Sequence, residues 1–251
     1  MLAAGGRGYR SRMQLPRPLI RATLIRRYKR FLADARLVSG EEITAHVANP
    51  GSMLGLNAPG LPIWLSKSDD PKRKLKYSWE LAELPVGKLC GVSTNHPNRI
   101  VEEALRAGRV TELAAYEGLR REVKYGKNSR IDFLLAQDGL PDAYVEVKNV
   151  HLRRDGDWAE FPDAVTARGA KHLEELGDMV EQGFRAVMLY LIQRDDCARF
   201  RLAADIDPTY AKAFERARAR GVEAIAYACR FTTPSEAGAE IVLAEPVPIE
   251  I

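Results

Sequence analysis

Residues Arg130–Val150, RIDFLLAQDGLPDAYVEVKNV, read as two strands joined by a turn, and they decide the fold of the second half of the chain. In Ala143–Val150 the two-residue period puts Val145 and Val147 on one face and Glu146 and Lys148 on the other. Upstream, Ile131, Phe133 and Leu135 point one way and Asp132 and Leu134 the other, while Gln137-Asp138-Gly139 supplies a hairpin turn. Pairing across that turn sets Asp132 beside Glu146. Two carboxylates brought together repel unless a cation neutralises them, and oxygen ligands of this kind favour Mg2+ or Mn2+. Such an ion activates water and stabilises charge on a phosphodiester, with a nearby lysine orienting the nucleophile. Asp132 and Glu146 are the expected metal ligands, and Asp132, Glu146 and Lys148 the expected catalytic set of a metal-dependent nuclease.

An ExK tripeptide alone is weak, since about one should occur by chance in a chain this size. Glu122-Val123-Lys124 is such a decoy, because no aspartate lies between Asp70 and Asp132 to serve it. The bland alternative for Glu146 and Lys148 is an exposed, salt-bridged strand face. Upstream, PNRIVEEALRAG reads as a helix with Asn98 near its N-cap and Gly108 past its end. Glu103 lies on its Ile100, Ala104 and Ala107 stripe and is the expected inward acid, or else a partner of Arg99. Downstream come a helix over about Asp163–Glu181, the strand AVMLYLI, a helix over about Pro208–Arg220 and the strand VEAIAYAC. The first of these helices carries Val165, Gly169, Leu173, Leu176 and Val180 as its apolar stripe, with Arg168, Lys171 and His172 on the flank as candidate phosphate ligands. A lone histidine is more often structural than catalytic. Strands both clustered and alternating with helices give an α/β domain with a mixed, α+β-type sheet.

Between Ala22 and Val86 the pattern is different: RATLIRRYKRFLADARL, ITAHVANPGSM, PIWLSKS and KYSWELAEL are short extended runs broken at Ser39-Gly40, Pro50-Gly51 and Pro59-Gly60. The spacing predicts a small all-β barrel of OB type. RRYKRF and KRKLKYSW interleave cations with Tyr28, Phe31, Tyr77 and Trp79, as a surface that grips phosphates and stacks bases would. Arg26, Arg27, Lys29, Arg30, Lys72, Arg73, Lys74 and Lys76 are the candidate nucleic-acid-binding residues there; the alternative is a solvated basic face over core aromatics.

The chain has 251 residues, 46% of them hydrophobic, enough for a full core. Its net charge of +4 allows a polyanionic partner, and the bias is local: ten basic residues and one acid, Asp34, lie between Met1 and Arg36. Cys90, Cys197 and Cys229 form no CxxC pair and suit a reducing cytoplasm. No apolar run approaches a membrane span or a secretory signal, and the Arg-rich start lacks the amphipathicity of a transit peptide. The expected division is a disordered leader over 1–12, an OB-like barrel over 13–87 and an α/β domain over 88–251, with Met13 as an alternative start.

Five segments in this order, RATLIRRYKRFLAD, HVANPGSM, YGKNSRIDFLL, YVEVKNV and FPDAVTARGAKHLEEL, resemble the sugar fermentation stimulation protein A family over about Leu19–Ala226. The resemblance implies an OB-like N-terminal domain, a C-terminal domain related to the PD-(D/E)XK nucleases, DNA binding, and a bacterial context linked to sugar-utilisation genes. It carries the nuclease pattern onto Asp132, Glu146 and Lys148, with Glu103 as the helix acid. The family's HCPNTGSM stands here as HVANPGSM, so Ala48 and Pro50 replace the usual proline and threonine, and Ile131 stands where proline often precedes the aspartate.

Three functions compete. The first is a Mg2+- or Mn2+-dependent DNA nuclease, and the second a non-cleaving DNA-binding regulator of sugar-utilisation genes of the maltose type. The third is oligosaccharide binding by the barrel, which the cation surplus disfavours. DNA is the expected partner, a membrane is not, and a homodimer is left open.

Overall fold

The computed structural model describes residues 12–126 and 129–250. The expected leader therefore lies, Arg12 apart, outside the described residues, as do Lys127 and Asn128 of YGKNSRIDFLL.

Strands β1 (Met13–Gln14), β2 (Leu19–Tyr28), β3 (Leu32–Leu37), β4 (Glu42–His46), β5 (Pro62–Lys67), β6 (Tyr77–Glu83) and β7 (Leu89–Gly91) fill the first third of the chain. Strands β2 to β6 form the OB barrel: β2 pairs antiparallel with β3 and β5, β3 with β4 and β5 with β6, and a parallel β4–β6 pairing, Ala45↔Tyr77 and His46↔Ser78, closes it. Ala22, Leu24, Ala33, Ala35, Ala45, Ile63, Leu65 and Trp79 fill its interior. Ser39-Gly40 makes the β3–β4 turn with Gly40 at φ 92°, where glycine meets no Cβ clash. Pro50-Gly51 makes no hairpin; it belongs to a loop that leaves the barrel at His46. Trp79 is fully buried, so of the four aromatics expected to stack bases this one is core.

The rest comprises α1 (Pro97–Arg106), β8 (Gly118–Tyr125), β9 (Ser129–Ala136), β10 (Ala143–Val150), β11 (Trp158–Phe161), α2 (Ala167–Glu181), β12 (Arg185–Ile192), β13 (Arg199–Leu202), α3 (Pro208–Ala219), β14 (Glu223–Phe231), β15 (Glu240–Pro246) and β16 (Ile249–Glu250). Its main sheet is mixed, in the order β1-β15-β14-β12-β10-β9-β8, with β10, β12 and β14 parallel and the flanks antiparallel. One face packs on α1 through Ile100, Val101 and Ala104, the other on α2 and α3 through Leu173, Leu176 and Phe214. Helix α2 starts four residues later than its periodicity predicts, because the Thr166 side chain caps it by accepting from Gly169 N at 3.1 Å. Val165 consequently lies outside the helix and is exposed rather than part of the apolar stripe. The three cysteines are free and buried, and burial pushes the Cys90 and Cys197 thiols up to about 12.

A cut at residue 87 does not follow the sheets. Leu89–Gly91 still pair with β6, and Met13–Gln14, although they precede the barrel, pair with Ile241 and Glu240 at the edge of the main sheet. The two units are locked by loop 47–53. Asn49, buried, donates to Val92 O at 2.9 Å and accepts from Gly51 N at 2.9 Å, while its amide also contacts His151 Nδ1 at 3.3 Å. Ser52 Oγ donates to Asp163 O at 2.9 Å and Met53 N to Asp163 Oδ2 at 3.3 Å. A Cβ on Gly51 would come within 2.7 Å of Asp163 Oδ2, which is why glycine stands there. Asn49→Ala strands a buried carbonyl and N–H, so urea unfolding should lose about 1–3 kcal/mol; an unchanged midpoint would show that the loop does not hold the units together.

Candidate active site

The β9–β10 ladder runs through Ala143↔Leu135, Tyr144↔Leu134 and Val145↔Phe133 and then stops. At the next position the Asp132 carboxylate takes over, its Oδ2 accepting from Val147 N at 2.7 Å. The strict alternation expected for β9 breaks at the same point. Phe133 and Leu135 pack on the α1 side, but Ile131 joins Leu134 in the core on the α2 side. Asp132 Oδ1 accepts from Asn98 Nδ2 of α1 at 2.7 Å.

Glu146 is buried on the other side of this gap. Its Oε1 accepts from Lys148 Nζ at 2.7 Å and from His172 Nδ1 of α2. Arg168 Nε donates to His172 Nε2 at 3.3 Å, one turn earlier on the helix. That bond fixes the tautomer: Nε2 accepts, so the ring proton sits on Nδ1 and points at Glu146. Glu146 Oε2 is buried without a hydrogen-bond partner. Burial alone would raise the Glu146 carboxyl, but the His172 hydrogen bond and the Lys148 charge outweigh it and hold the group below the ordinary glutamate range. Asp132 behaves oppositely. Burial first and the Glu146 charge second push it up to about 6, against the pull of the Val147 N–H, Asn98 and Lys148. One carboxylate is thus held ionised, while its neighbour is poised for a counter-charge.

The structure unites Asp132, Glu146, Lys148 and His172, with Arg168 behind the histidine. His172 is buried rather than on the helix flank, and its ring faces a carboxylate. Glu103 makes its hydrogen bond to Arg99, at 3.2 Å, and burial raises its carboxyl; the α1 residue that reaches Asp132 is Asn98. Asn98 looks like a cap in the sequence, but Pro97 already opens the helix, with His96 at the cap position, and frees the amide for the site. Lys171 lies 3.5 Å from Glu175 Oε1 and 3.4 Å from Ser129 Oγ. Glu122 of the decoy is exposed, at a left-handed φ of 53°.

In the barrel, Arg27 turns inward, its guanidinium donating to the carbonyls of Arg30, Asn49, Gly51 and Ser52 at 2.8–3.2 Å, so it serves loop 47–53. Arg26 pairs with Asp34 at 2.8 Å and lies over the Tyr28 ring. Arg73 donates to Ser78 Oγ and Lys76 to Asp70 O, both at 2.8 Å, while Lys29, Arg30, Lys72 and Lys74 are exposed in the β2–β3 and β5–β6 turns. Among the described residues no group of three His, Cys, Asp or Glu side chains would hold a metal by itself. None of the described helices is long and apolar enough to cross a membrane.

A closed OB barrel followed by a mixed-sheet α/β domain, with Asp132 where two strands part and Glu146 and Lys148 on the next strand, defines a PD-(D/E)XK nuclease-like fold behind an OB domain. Residues 25–92 match the SfsA N-terminal OB domain and residues 95–235 the sugar fermentation stimulation protein RE domain. The chain belongs to the sugar fermentation stimulation protein family. A sugar fermentation stimulation protein homolog of Dinoroseobacter shibae is 62% identical over 86% of this chain and 88% of its own. One from Jannaschia sp. is 57% identical over 95% and 97%. The structure of Pyrococcus furiosus SfsA in complex with Ca2+ superposes with a TM-score of 0.81 at 25% identity, covering 95% of this chain and all of that one.

The raised Asp132 carboxyl has a definite sign. Between the ordinary aspartate value of 3.8 and about 6 the folded chain holds more protons than the unfolded one, so stability on this account falls as pH rises through that window, by about 2–3 kcal/mol in all. With chelator present, Asp132→Asn should flatten the loss between pH 4 and pH 6 relative to the unsubstituted protein; parallel pH–stability curves would count against the carboxylate pair.

Proposed function

We propose that the chain is a Mg2+- or Mn2+-dependent phosphodiesterase acting on DNA, with Asp132 and Glu146 as metal ligands and Lys148 as the catalytic cation. The observation that carries this reading is Glu146 Oε2, a buried carboxylate oxygen without a partner beside a second carboxylate whose own charge is disfavoured. Two carboxylates without a third protein ligand suit Mg2+, which keeps several waters and is completed by phosphate oxygens. The Pyrococcus furiosus relative is described as a complex with Ca2+, another hard, oxygen-seeking cation, and this supports the donor class.

When bound, the ion would act as a Lewis acid and lower the pKa of water near the phosphodiester. Glu146 is kept ionised and oriented by His172 and Lys148, so that Oε2 is the oxygen left to bind. Asp132 is held by Asn98 and Val147 N. The Lys148 ammonium offsets charge that develops on the phosphoryl group. Arg168, in the first turn of α2 and hydrogen-bonded to His172, adds positive charge behind Glu146 that can steer phosphates.

Calorimetry should find Mn2+ binding abolished in Asp132→Asn and Glu146→Gln and weakened about 10- to 100-fold in His172→Ala, which removes one of the two donors that orient Glu146. Unchanged affinity in all three would refute the site. Lys148→Met keeps the length of the side chain and deletes its charge, so Mn2+ binding should survive while cleavage of labelled DNA drops ~100-fold or more. If the unsubstituted protein with Mn2+ cleaves neither single nor double strands beyond the Lys148→Met background, the chain is a DNA-binding regulator instead.

A further inference from the structure

The segment YGKNSRIDFLL supplies Asp132, but its first residue, Tyr125, is placed in a way that the carboxylates and Lys148 leave unexplained. Tyr125 ends β8, pairs with Ser129 at the start of β9 and is 7% exposed. Its ring packs on Tyr144 of β10, with centroids 5.7 Å apart, and Tyr144 lies two residues before Glu146 on the same face of that strand. From the facing helix, Glu175 of α2 accepts from Ser129 Oγ, and it stands three residues after His172, which contacts Glu146. Tyr125 therefore occupies the layer between the sheet and α2 that also holds Glu146 and His172.

A buried hydroxyl is destabilising unless it finds an acceptor. The Tyr125 hydroxyl has none among the described residues. Burial, and then the charges of Glu146, Glu175 and Asp132, push the phenol well above its ordinary range, so it keeps its proton and is available to donate. Two of those three carboxylates are already served. Asp132 accepts from Asn98 and Val147 N, while Glu175 accepts from Ser129 and has the Lys171 ammonium 3.5 Å from its other oxygen. Glu146 Oε2 accepts from nothing, and it and the Tyr125 hydroxyl do not reach each other. A donor and an acceptor buried in one layer, too far apart to bond directly, are the two sides of a place for a third group that carries an oxygen.

We propose that Tyr125 is the hydrogen-bond donor to a water oxygen carried by a divalent cation on Glu146 Oε2. The proposal rests on the reading of Asp132 and Glu146 as cation ligands and adds β8 to the elements that build the site. A bare ion would leave the phenol unpaired, whereas a cation such as Mg2+, which keeps several of its waters, brings the acceptor with it. The phenol is already buried and held against Tyr144, so forming the bond requires little reorganisation. A water fixed by the cation on one side and by the phenol on the other is held in one orientation, as an attacking water has to be. The proton stays on Tyr125, which acts on the position of the water alone.

The test compares Tyr125→Phe with the unsubstituted full chain, because phenylalanine keeps the ring on Tyr144 and deletes only the hydroxyl. In EDTA the urea midpoint of Tyr125→Phe should be unchanged or higher, since no hydrogen bond of the described structure is lost. Calorimetric titration with MnCl2 should show about 10-fold weaker binding. Mn2+ added to the unsubstituted protein should also give an ultraviolet tyrosine difference spectrum that Tyr125→Phe lacks. Tyr144→Phe, which removes a hydroxyl from the same layer but keeps Tyr125, should retain both the affinity and the spectrum. Equal Mn2+ affinity in Tyr125→Phe and the unsubstituted chain overturns this proposal and leaves the cation site standing. A lower urea midpoint in EDTA overturns it too, because the hydroxyl then serves the unliganded fold. If the unsubstituted protein binds no Mn2+, the cation reading falls and this proposal falls with it.

Discussion

The Asp132 carboxylate accepts the Val147 N–H where a ladder partner on β9 would otherwise stand, and the site is organised around that substitution. Because the carboxylate itself takes the Val147 N–H, that donor is not left unpaired where the strands part. Glu146, on β10 just before Val147, keeps its Oε2 buried and unpaired. Asn98 braces the other Asp132 oxygen, so helix α1 is tied to the opening as well as to the hydrophobic face beneath it.

A second constraint comes from α2. Its cap at Thr166 sets where the helix begins, and that start places Arg168 and His172 one turn apart on the side facing β10. Asp163, just upstream, is held by Ser52 and Met53 of the barrel's loop. The barrel therefore reaches the carboxylates indirectly, through a loop, a cap and a histidine.

Much of this was legible in the sequence. The hairpin at Gln137-Gly139, the alternation in Ala143–Val150 and the missing aspartate upstream of the Glu122 decoy were enough to single out Asp132, Glu146 and Lys148. The short strands and their turn residues pointed to an OB barrel. Other features depend on contacts between distant residues, to which local patterns are blind. Nothing near Asn49 or Ser52 announces Asp163, and Arg27 looks like any other cation of RRYKRF until its guanidinium is seen among four carbonyls. Glu103 satisfied the helical stripe, but a stripe fixes only a face; how far along the face a side chain reaches is set by the docking of α1, which brings Asn98 forward. The helical stripe also missed the burial of His172, because a polar residue enters a core only when particular partners await it.

Strand β1 lends the fold a temporal order. Met13 and Gln14 leave the ribosome before any of the barrel, yet their partners Ile241 and Glu240 are synthesised long afterwards. At ordinary elongation rates the delay is on the order of tens of seconds. Throughout that interval the barrel's strands, whose partners all lie between Leu19 and Gly91, can assemble, while the leading segment stays unclaimed. That edge of the main sheet then closes by recapturing β1, a contact of very high sequence separation and so a late event in assembly. Polypeptides arrested before Ile241 would carry the carboxylate strands without that closure, which links completion of the edge to the synthesis of β15.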